Sequence, residues 1–293
     1  MYILDRSKCA TIGALRRRIE AYLTPIYGEW EARSMTRLAF HNIKGWDNTT
    51  LVINGDCPAS DYLVEKMDDI LHRLSEHQPI QYILGEARFY GMDLLVNPSV
   101  LIPRPETAEL VDLIIKQNPD PDLRVLDVGT GSGAIAIALK RNLRFPIVEA
   151  LDISADALDV ARKNARSLRV DIDFRQEDIF KCELPENYYD IIVSNPPYIP
   201  TSEQKDMERN VLDYEPHLAL FVPDDNPLIY YSRIAYLAFF ALKSGGKIYF
   251  EINPRFADDL KRMLEFNGFL DVRIFDDSLK RRRFIAAETP IPY

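Results

Sequence analysis

Over residues 105–293, short apolar segments alternate with segments whose apolar residues recur at helical spacing. The apolar segments predict β-strands at Arg124–Asp127, Ile147–Leu151, Ile172–Arg175, Tyr189–Ser194 and Gly246–Ile252. Helical patterns such as Ala155–Ser167 and Pro254–Asn267 lie between them. This alternation predicts an α/β domain with a parallel sheet and helices on both faces. Two later strand patterns, Leu270–Phe275 and Phe284–Ala287, have no helical pattern between them, so we expect an antiparallel pair at the sheet edge.

Residues 1–78 are poor in strand patterns and rich in helical ones. Apolar residues recur at helical spacing at Leu15, Ile19 and Leu23, and again at Leu63, Met67, Ile70 and Leu74. We therefore expect a small all-helical domain here, and we expect it to recognise a protein partner. The extended pattern at Phe89–Val96 predicts a β-hairpin, within a linker of residues 79–104 that leads to the α/β domain.

The composition excludes several classes of protein. Of the 293 residues, 47% are hydrophobic and 28% are charged, which is ordinary for a globular chain. The longest apolar run, Ile234–Leu242, is too short to span a membrane, and no signal-peptide pattern follows Met1, so we expect a cytoplasmic protein without membrane contact. A net charge of −9 disfavours nucleic-acid binding, which requires a basic surface. The spacing of Cys9, Cys57 and Cys182 fits neither a metal site nor a disulfide framework, so we expect no bound metal. We also expect the protein to be a monomer.

A glycine-rich loop follows the first strand predicted in the α/β domain and leads into a helix. Its residues are Gly129, Thr130, Gly131, Ser132 and Gly133. Glycines at the carboxyl end of a parallel strand let the backbone approach a ligand closely. Asp152, at the end of the second strand, is placed to accept hydrogen bonds from ribose hydroxyls. The loop and Asp152 together predict a cofactor that contains a nucleoside.

Asp127 and the terminal strand pair bear on which cofactor this is. The spacing Gly129-x-Gly131-x-x-Ala134 also fits a nicotinamide dinucleotide. Asp127, however, would repel a pyrophosphate and attract the cationic amino group of S-adenosylmethionine. The terminal antiparallel pair resembles the end of the seven-stranded, Rossmann-like sheet of class I methyltransferases. In that fold Asp178 and Ile179 would lie beside the adenine, although Asp178 also fits a simple loop or helix cap.

The most informative tetrapeptide is Asn195-Pro196-Pro197-Tyr198, which follows the fourth predicted strand. Its two prolines make the turn stiff. The side-chain oxygen of Asn195 and the carbonyl of Pro196 would each accept one hydrogen of an incoming NH₂ group, and Tyr198 would offer a flat surface for stacking. An amide or adenine nitrogen is a weak nucleophile, so alignment would supply most of the acceleration. We predict that these four residues bind the substrate and catalyse methyl transfer, and that Asn195 also contacts the cofactor.

Several longer segments resemble the HemK/PrmC-type protein-(glutamine-N5) methyltransferases that modify peptide chain release factors. They are Pro79–Gly85, Phe89–Gly91, Leu101–Thr107, Gly129–Gly133, Asn195–Tyr198, Tyr214–Pro216 and Ala219–Leu220. The resemblance implies a class I methyltransferase domain joined by a β-hairpin to a small N-terminal helical domain. It also implies S-adenosylmethionine as cofactor, and as methyl acceptor the glutamine of the release factor's Gly-Gly-Gln motif.

The resemblance also implies roles by position. The residues that would contact the cofactor are Gly129, Gly131, Gly133, Asp152 and Ile179. Asn195–Tyr198 would hold the glutamine, and Arg104, Glu106 and Thr107 would line the cofactor cleft, although Glu106 also fits the first turn of a helix. The chain departs from the family pattern at Ala108, Ile179, Asn253, Arg255 and Lys280–Arg283. We expect the basic Lys280–Arg283 run to be a solvated hairpin; contact with RNA or an acidic partner is the alternative.

Four alternative functions stay open at this point. A glutamine methyltransferase of a ribosomal protein would carry the same motifs. An adenine-N6 or guanine-N2 nucleic-acid methyltransferase would use the same Asn-Pro-Pro-Tyr turn, but it should bring a basic surface. A nicotinamide-dependent dehydrogenase would explain the glycine loop and leave Asn195–Tyr198 unexplained. A non-catalytic binding module would leave both the glycine loop and the Asn195–Tyr198 turn unexplained.

Overall fold

The computed structural model describes residues 3–291. The α-helices are α1 (Ile12–Tyr27), α2 (Glu29–Lys44), α3 (Asn48–Ile53), α4 (Asp61–Ser75), α5 (Ile80–Leu84), α6 (Pro105–Gln117), α7 (Ala134–Asn142), α8 (Ala155–Ser167), α9 (Arg209–Tyr214), α10 (Ile229–Ala241) and α11 (Ala257–Phe266). The β-strands are β1 (Glu86–Phe89), β2 (Met92–Leu95), β3 (Arg124–Val128), β4 (Ile147–Asp152), β5 (Asp173–Gln176), β6 (Tyr189–Ser194), β7 (Ile199–Pro200), β8 (Phe221–Val222), β9 (Leu242–Glu251), β10 (Leu270–Asp276) and β11 (Arg282–Glu288). Within this range, no helix is both long and apolar enough to cross a membrane.

The chain divides into two compact units. The first takes the residues up to Gly85 together with α9, and the second takes Glu86–Glu208 and the residues from Glu215 onward. The first unit is helical, as predicted. Side-chain oxygens of Thr11, Asp47 and Ser60 accept hydrogen bonds from backbone N–H groups in the first turns of α1, α3 and α4. Its core consists of apolar residues at helical spacing, among them Leu15, Leu23, Phe40, Met67 and Leu71.

The second unit contains a seven-stranded sheet in the order β10-β11-β9-β6-β3-β4-β5. The neighbours from β9 to β5 run parallel, whereas β11 is antiparallel to both β10 and β9. The predicted parallel sheet and antiparallel edge pair are therefore confirmed. After β3 the chain proceeds to β4 and β5 on one side and then returns to β6 on the other. This reversal opens a crevice at the carboxyl ends of β3 and β6, which is where open α/β sheets bind ligands.

Several predicted strand boundaries differ from the structure by one or two residues, and larger differences occur at the start of β9 and at the start of α11. The strand expected from Gly246 begins at Leu242, because Leu242 pairs with Tyr189 before a register shift at the glycines. The helix expected over Pro254–Asn267 starts as a 3₁₀ turn, Pro254–Phe256, and only α11 is α-helical. Both differences arise from strand pairing or capping contacts that an apolar pattern does not encode.

The buried Asn164 on α8 joins the hairpin to the glycine loop. Its Nδ2 donates to the carbonyls of Leu95 (3.0 Å) and Ser132 (2.9 Å), and its Oδ1 accepts from Leu95 N (2.7 Å). We expect Asn164→Ala to lower the free energy of unfolding by about 2–3 kcal/mol, because buried polar partners would lose their hydrogen bonds. Urea denaturation of the variant measures this, and Lys163→Ala on the same helix should change it by less than about 0.5 kcal/mol. Equal midpoints for the two variants would contradict the assignment.

Candidate active site

The glycine loop and the Asn-Pro-Pro-Tyr turn lie side by side because they follow adjacent parallel strands. Val128, the last residue of β3, is in register with Ser194, the last residue of β6. The buried Ser194 hydroxyl donates to the carbonyl of Val128 at 2.7 Å, which ties the two strand ends together. Gly129 and Asn195 follow directly on these two residues. A cleft opens between the two loops.

Most of the predicted site residues line this cleft. They are Gly129, Thr130, Gly131, Ser132, Asp152, Asp178, Ile179, Asn195, Pro196 and Pro197. Arg104 and Thr107, which were expected in the cleft by resemblance alone, line it as well. Asp127, Gly133, Tyr198 and Glu106 are not among the lining residues. Each of these four makes contacts elsewhere in the unit.

The three glycines of the loop serve two different purposes. Gly129 and Gly131 have φ angles of +74° and +55°, and an added Cβ would meet no atom within 4 Å at either position. Open space beside a left-handed backbone is the arrangement that lets a ligand approach the chain closely. Gly133 differs, because its Cβ would meet Ile137 Cδ1 at 3.1 Å and Ala161 Cβ at 3.2 Å. Gly133 thus permits α7 and α8 to pack closely, and its predicted contact with the cofactor stays a prediction.

Asp127 lies behind the glycine loop. Its side chain is fully buried, and Oδ2 accepts from Thr130 Oγ1 (2.7 Å) and from Ala136 N (3.2 Å), while Oδ1 has no hydrogen-bond partner within residues 3–291. Burial raises the pKa of Asp127 to about 7, with a smaller contribution from the charge of Asp152. Asp127 therefore fastens the loop to the start of α7. Its predicted contact with a cationic cofactor group is not visible in this arrangement and stays a prediction.

Because the pKa of Asp127 is raised, we expect its contribution to the free energy of unfolding to depend on pH. The carboxyl holds its proton more tightly in the folded protein than in the unfolded chain, so its contribution to stability is present at low pH and is lost as the pH rises from about 4 to about 7. The unfolding free energy of the wild type minus that of Asp127→Asn should therefore fall across this range, by at most about 1.4 kcal/mol per pH unit. Denaturant titrations of both proteins between pH 5 and pH 8 measure it. A constant difference would show that Asp127 titrates normally.

Asp152 and Asp178 follow β4 and β5 and line the cleft. Asp152 accepts from Gly131 N through Oδ2 (2.8 Å) and from Ser154 N through Oδ1 (2.9 Å), and burial raises its pKa. Each of its oxygens keeps a second lone pair for a ligand hydroxyl. Asp178 accepts from Phe180 N at 3.0 Å, which lowers its pKa, and it pairs with Lys181. The loop role considered for Asp178 is thus present together with its position in the cleft.

A chain of hydrogen bonds runs from Asn195 to the end of β9. Asn195 Nδ2 donates to Thr107 Oγ1 at 3.3 Å, and the Thr107 hydroxyl donates to Glu251 Oε2 at 2.7 Å. The Tyr198 hydroxyl donates to the other oxygen of Glu251 at 3.2 Å, and burial raises the pKa of Tyr198. Tyr198 therefore contacts the buried carboxylate and supports the turn from behind. Its predicted stacking on a substrate stays a prediction.

Glu251 and Glu215 are site residues that the sequence did not single out for these roles. Glu215 is buried and accepts hydrogen bonds from Ile102 N (3.1 Å) and from the Arg104 guanidinium. It thereby fixes the segment that carries Arg104 into the cleft wall. A carboxylate in an otherwise apolar strand, as at Glu251 in β9, is the one sequence signal that could have identified such a residue.

The expectation of a solvated basic hairpin at Lys280–Arg283 holds for Lys280, Arg281 and Arg282, which are exposed, but not for Arg283, which is largely buried. The three arginines also pair with acidic residues. Arg281 pairs with Glu106 (3.0 Å) and with the buried Asp277 (2.8 Å), Arg282 pairs with Asp258 (2.8 Å), and Arg283 lies 3.5 Å from Asp277. Lys280 is exposed. The three arginines are thus paired with acidic residues of the same unit, two of which, Glu106 and Asp258, are distant in sequence. Contact of this run with RNA or an acidic partner stays an open alternative.

Comparison with known proteins identifies the family. The PrmC N-terminal domain matches residues 14–85, and the methyltransferase small domain matches residues 107–213. A release factor glutamine methyltransferase from Bacteroides thetaiotaomicron is 47% identical over 275 residues, which are 92% of this chain and 99% of that protein. The chain belongs to the release factor glutamine methyltransferase family. A second relative of that name, from Flavobacterium psychrophilum, is 42% identical over 90% of this chain and 94% of its own length.

The fold of this family member agrees with a solved structure. A methyltransferase from Pyrococcus furiosus superposes with a TM-score of 0.52 at 17% identity, covering 76% of this chain and 99% of that one. The predicted fold class is confirmed: an α/β, Rossmann-like methyltransferase domain with a seven-stranded sheet, and an N-terminal helical domain. The protein is an enzyme of the glutamine methyltransferase family. The dehydrogenase and the non-catalytic module are thereby set aside.

Proposed function

We propose that the protein transfers the methyl group of S-adenosylmethionine to the side-chain amide nitrogen of the glutamine in the Gly-Gly-Gln motif of peptide chain release factors. The orientation of Asn195 is the observation that carries this proposal. Its Nδ2 is engaged by Thr107, so its Oδ1 is the atom available to accept a hydrogen bond from a substrate NH₂ group. The names of the relatives supply the substrate class.

The residues around the glycine loop fit S-adenosylmethionine. Gly129 and Gly131 leave open space beside their backbone, and the Asp152 carboxylate would accept from the ribose hydroxyls. Apolar side chains of the same cleft would cover the adenine, and these are Ile153, Ala157, Ile179 and Phe180. Asp178 would accept from the adenine amino group. When it is bound, the cofactor supplies an electrophilic methyl group on a sulfonium centre.

The turn after β6 would align the weakly nucleophilic amide. Asn195 Oδ1 and the carbonyl of Pro196 would each accept one amide hydrogen, and the prolines would hold the two acceptors at a fixed separation. Holding both hydrogens aims the nitrogen lone pair at the methyl group, and alignment of this kind is worth up to about 7–11 kcal/mol. The proton leaves after transfer, so no strong base is needed beforehand. A methylated amide keeps a single hydrogen, and we therefore expect one methyl group per glutamine.

The helical residues 1–78 are the proposed partner-recognition domain, residues 79–104 the linker, and residues 105–293 the catalytic domain. A glutamine side chain is too small to specify one partner, so a second contact surface is required. The match of residues 14–85 to the N-terminal domain of this family supports such a role. We further propose that the protein acts as a cytoplasmic monomer. A ribosomal protein is the second candidate substrate, since its glutamine would present the same amide.

The test is methylation of purified substrates. The protein is incubated with S-adenosylmethionine and an unmodified release factor, and the modified residue is mapped by mass spectrometry. We expect one methyl group on the Gly-Gly-Gln glutamine and none on a release factor in which that glutamine is replaced by glutamate. Methylation of ribosomal proteins or of nucleic acid, with the release factor left unmodified, would overturn the proposal.

A further inference from the structure

We propose that Thr107 is a positioning residue that determines which end of the Asn195 amide faces the substrate. This inference rests on the proposed methyl transfer to a glutamine amide. Thr107 lies in the first turn of α6, Asn195 follows β6, and Glu251 ends β9. Three rigid elements therefore meet at one hydroxyl group, which favours accurate placement.

The number of hydrogens on each group fixes the direction of the hydrogen bonds that link Asn195, Thr107 and Glu251. Thr107 Oγ1 donates to Glu251 Oε2 at 2.7 Å, and this bond uses the one hydrogen of the Thr107 hydroxyl. Thr107 Oγ1 then has only lone pairs to offer to Asn195. Asn195 must therefore donate an N–H group to Thr107, and its Oδ1 is turned away from Thr107.

The orientation matters because the two ends of an amide are nearly equal in size and opposite in hydrogen bonding. With Oδ1 towards the substrate, Asn195 accepts from the glutamine NH₂ group. With the amide reversed, two NH₂ groups would face each other and neither would find an acceptor. The Thr107 bond is the only side-chain hydrogen bond of Asn195 in the described part of the chain. Without this bond, no other side-chain hydrogen bond in the described part of the chain would favour one orientation of the Asn195 amide over the other.

The hydroxyl groups of Thr107 and Tyr198 donate to different oxygens of Glu251, so each uses its one hydrogen on this carboxyl group. Burial raises the pKa of Glu251 overall, and the hydrogen bonds from Thr107 and Tyr198 and the positive charge of Arg283 oppose that rise. Strand pairing of Glu251 with Phe284 fixes its backbone. The carboxylate is thus held on both oxygens, at 2.7 Å by Thr107 and at 3.2 Å by Tyr198.

The first experiment compares Thr107→Val with Thr107→Ser. Valine keeps the shape and removes the hydroxyl, whereas serine keeps the hydroxyl. We expect Thr107→Val to lower kcat for release factor methylation by about 10- to 100-fold, with KM for S-adenosylmethionine and for the release factor within about threefold, because misaligned groups act on the rate and not on binding. Thr107→Ser should recover most of the loss. Thr289→Val, at a buried threonine outside the cleft, is the matched control.

A double-mutant cycle separates positioning from general structural support. If Thr107 acts through Asn195, then Thr107→Val should change the residual rate of Asn195→Ala by less than about twofold, because coupled residues are not additive. Full additivity would overturn the inference, as would a Thr107→Val enzyme with wild-type kcat or a Thr107→Ser enzyme as slow as the valine variant. Thr107→Ala replaces the valine variant if that protein binds no S-adenosylmethionine or melts early. A wild-type enzyme that leaves release factors unmethylated would instead refute the proposed function.

Discussion

Replacing Asn195 by alanine is expected to lower kcat for release factor methylation by about 10²–10³-fold, the loss typical of removing one preorganised group that contacts the reacting atoms. In the proposed mechanism Asn195 contributes one of the two acceptors for the amide hydrogens, and the bond to Thr107 would keep that acceptor turned towards the substrate. The expected change lies in kcat. The affinity for S-adenosylmethionine, measured by calorimetry, should stay within about threefold, because the glycine loop and Asp152 provide most of the predicted cofactor contacts.

The control for this substitution is Asn142→Ala at the C-terminal end of α7. Asn142 is exposed, and its Nδ2 donates to the carbonyl of Ala138 within its own helix. This variant should methylate release factors at the wild-type rate. A similar loss of kcat in both variants would mean that the effect is one of general stability. An Asn195→Ala enzyme with undiminished kcat would remove the turn from the mechanism.

Replacing Asp152 by alanine should weaken the binding of S-adenosylmethionine about 100-fold or more. Two hydrogen bonds from ribose hydroxyls to a charged acceptor, at about 1.5–3 kcal/mol each, correspond to at least that factor. The carboxylate also accepts from Gly131 N and Ser154 N, so its removal loosens the glycine loop itself. Calorimetric titration with S-adenosylmethionine and with S-adenosylhomocysteine should show similar losses, because both ligands carry the ribose.

Asp156→Ala gives the matched comparison for Asp152. Asp156 is exposed in the first turn of α8, only four residues further along the chain. Its removal changes the net charge by the same amount and leaves the ribose contacts intact. We expect the affinity of this variant to remain within about threefold of wild type, since exposed charges contribute little. Equal losses in both variants would mean that a long-range charge effect, and not the carboxylate contact, holds the cofactor.

Local sequence patterns were sufficient to predict most of the α/β unit. Ala155–Ser167 was predicted to the residue, because Ser154 caps the helix and its apolar residues lie on one face. Tyr189–Ser194 was predicted equally well, since a strand buried on both faces is a short, continuous apolar run. Residues Gly129–Ser132 and Asn195–Pro197 could be placed in one cleft because the carboxyl ends of parallel strands meet at the same edge of the sheet.

The parts that escaped prediction depend on contacts between residues distant in sequence. The bond from Thr107 to Glu251 joins residues 144 positions apart, and the pair of Arg281 with Glu106 spans 175 positions. No local pattern encodes such pairs. The hydrogen bond between Asp127 and Thr130 was not predicted either, and the predicted contact of Asp127 with the cofactor stays a prediction.

The pairing of β11 with β9 has a consequence for the order of biosynthesis. Glu251 lies opposite Phe284, so the strand that carries this buried carboxylate is flanked by the strand that leaves the ribosome after all the other strands described. Until residues 282–288 emerge, β9 is an open sheet edge, and Arg283 is missing from the neighbourhood of Glu251. The motifs that define the enzyme are all synthesised earlier than that. A nascent chain would therefore carry the complete Asn-Pro-Pro-Tyr signature well before it could hold Thr107 and Asn195 in register, and the ability to methylate would be acquired only once residues 282–288 have emerged.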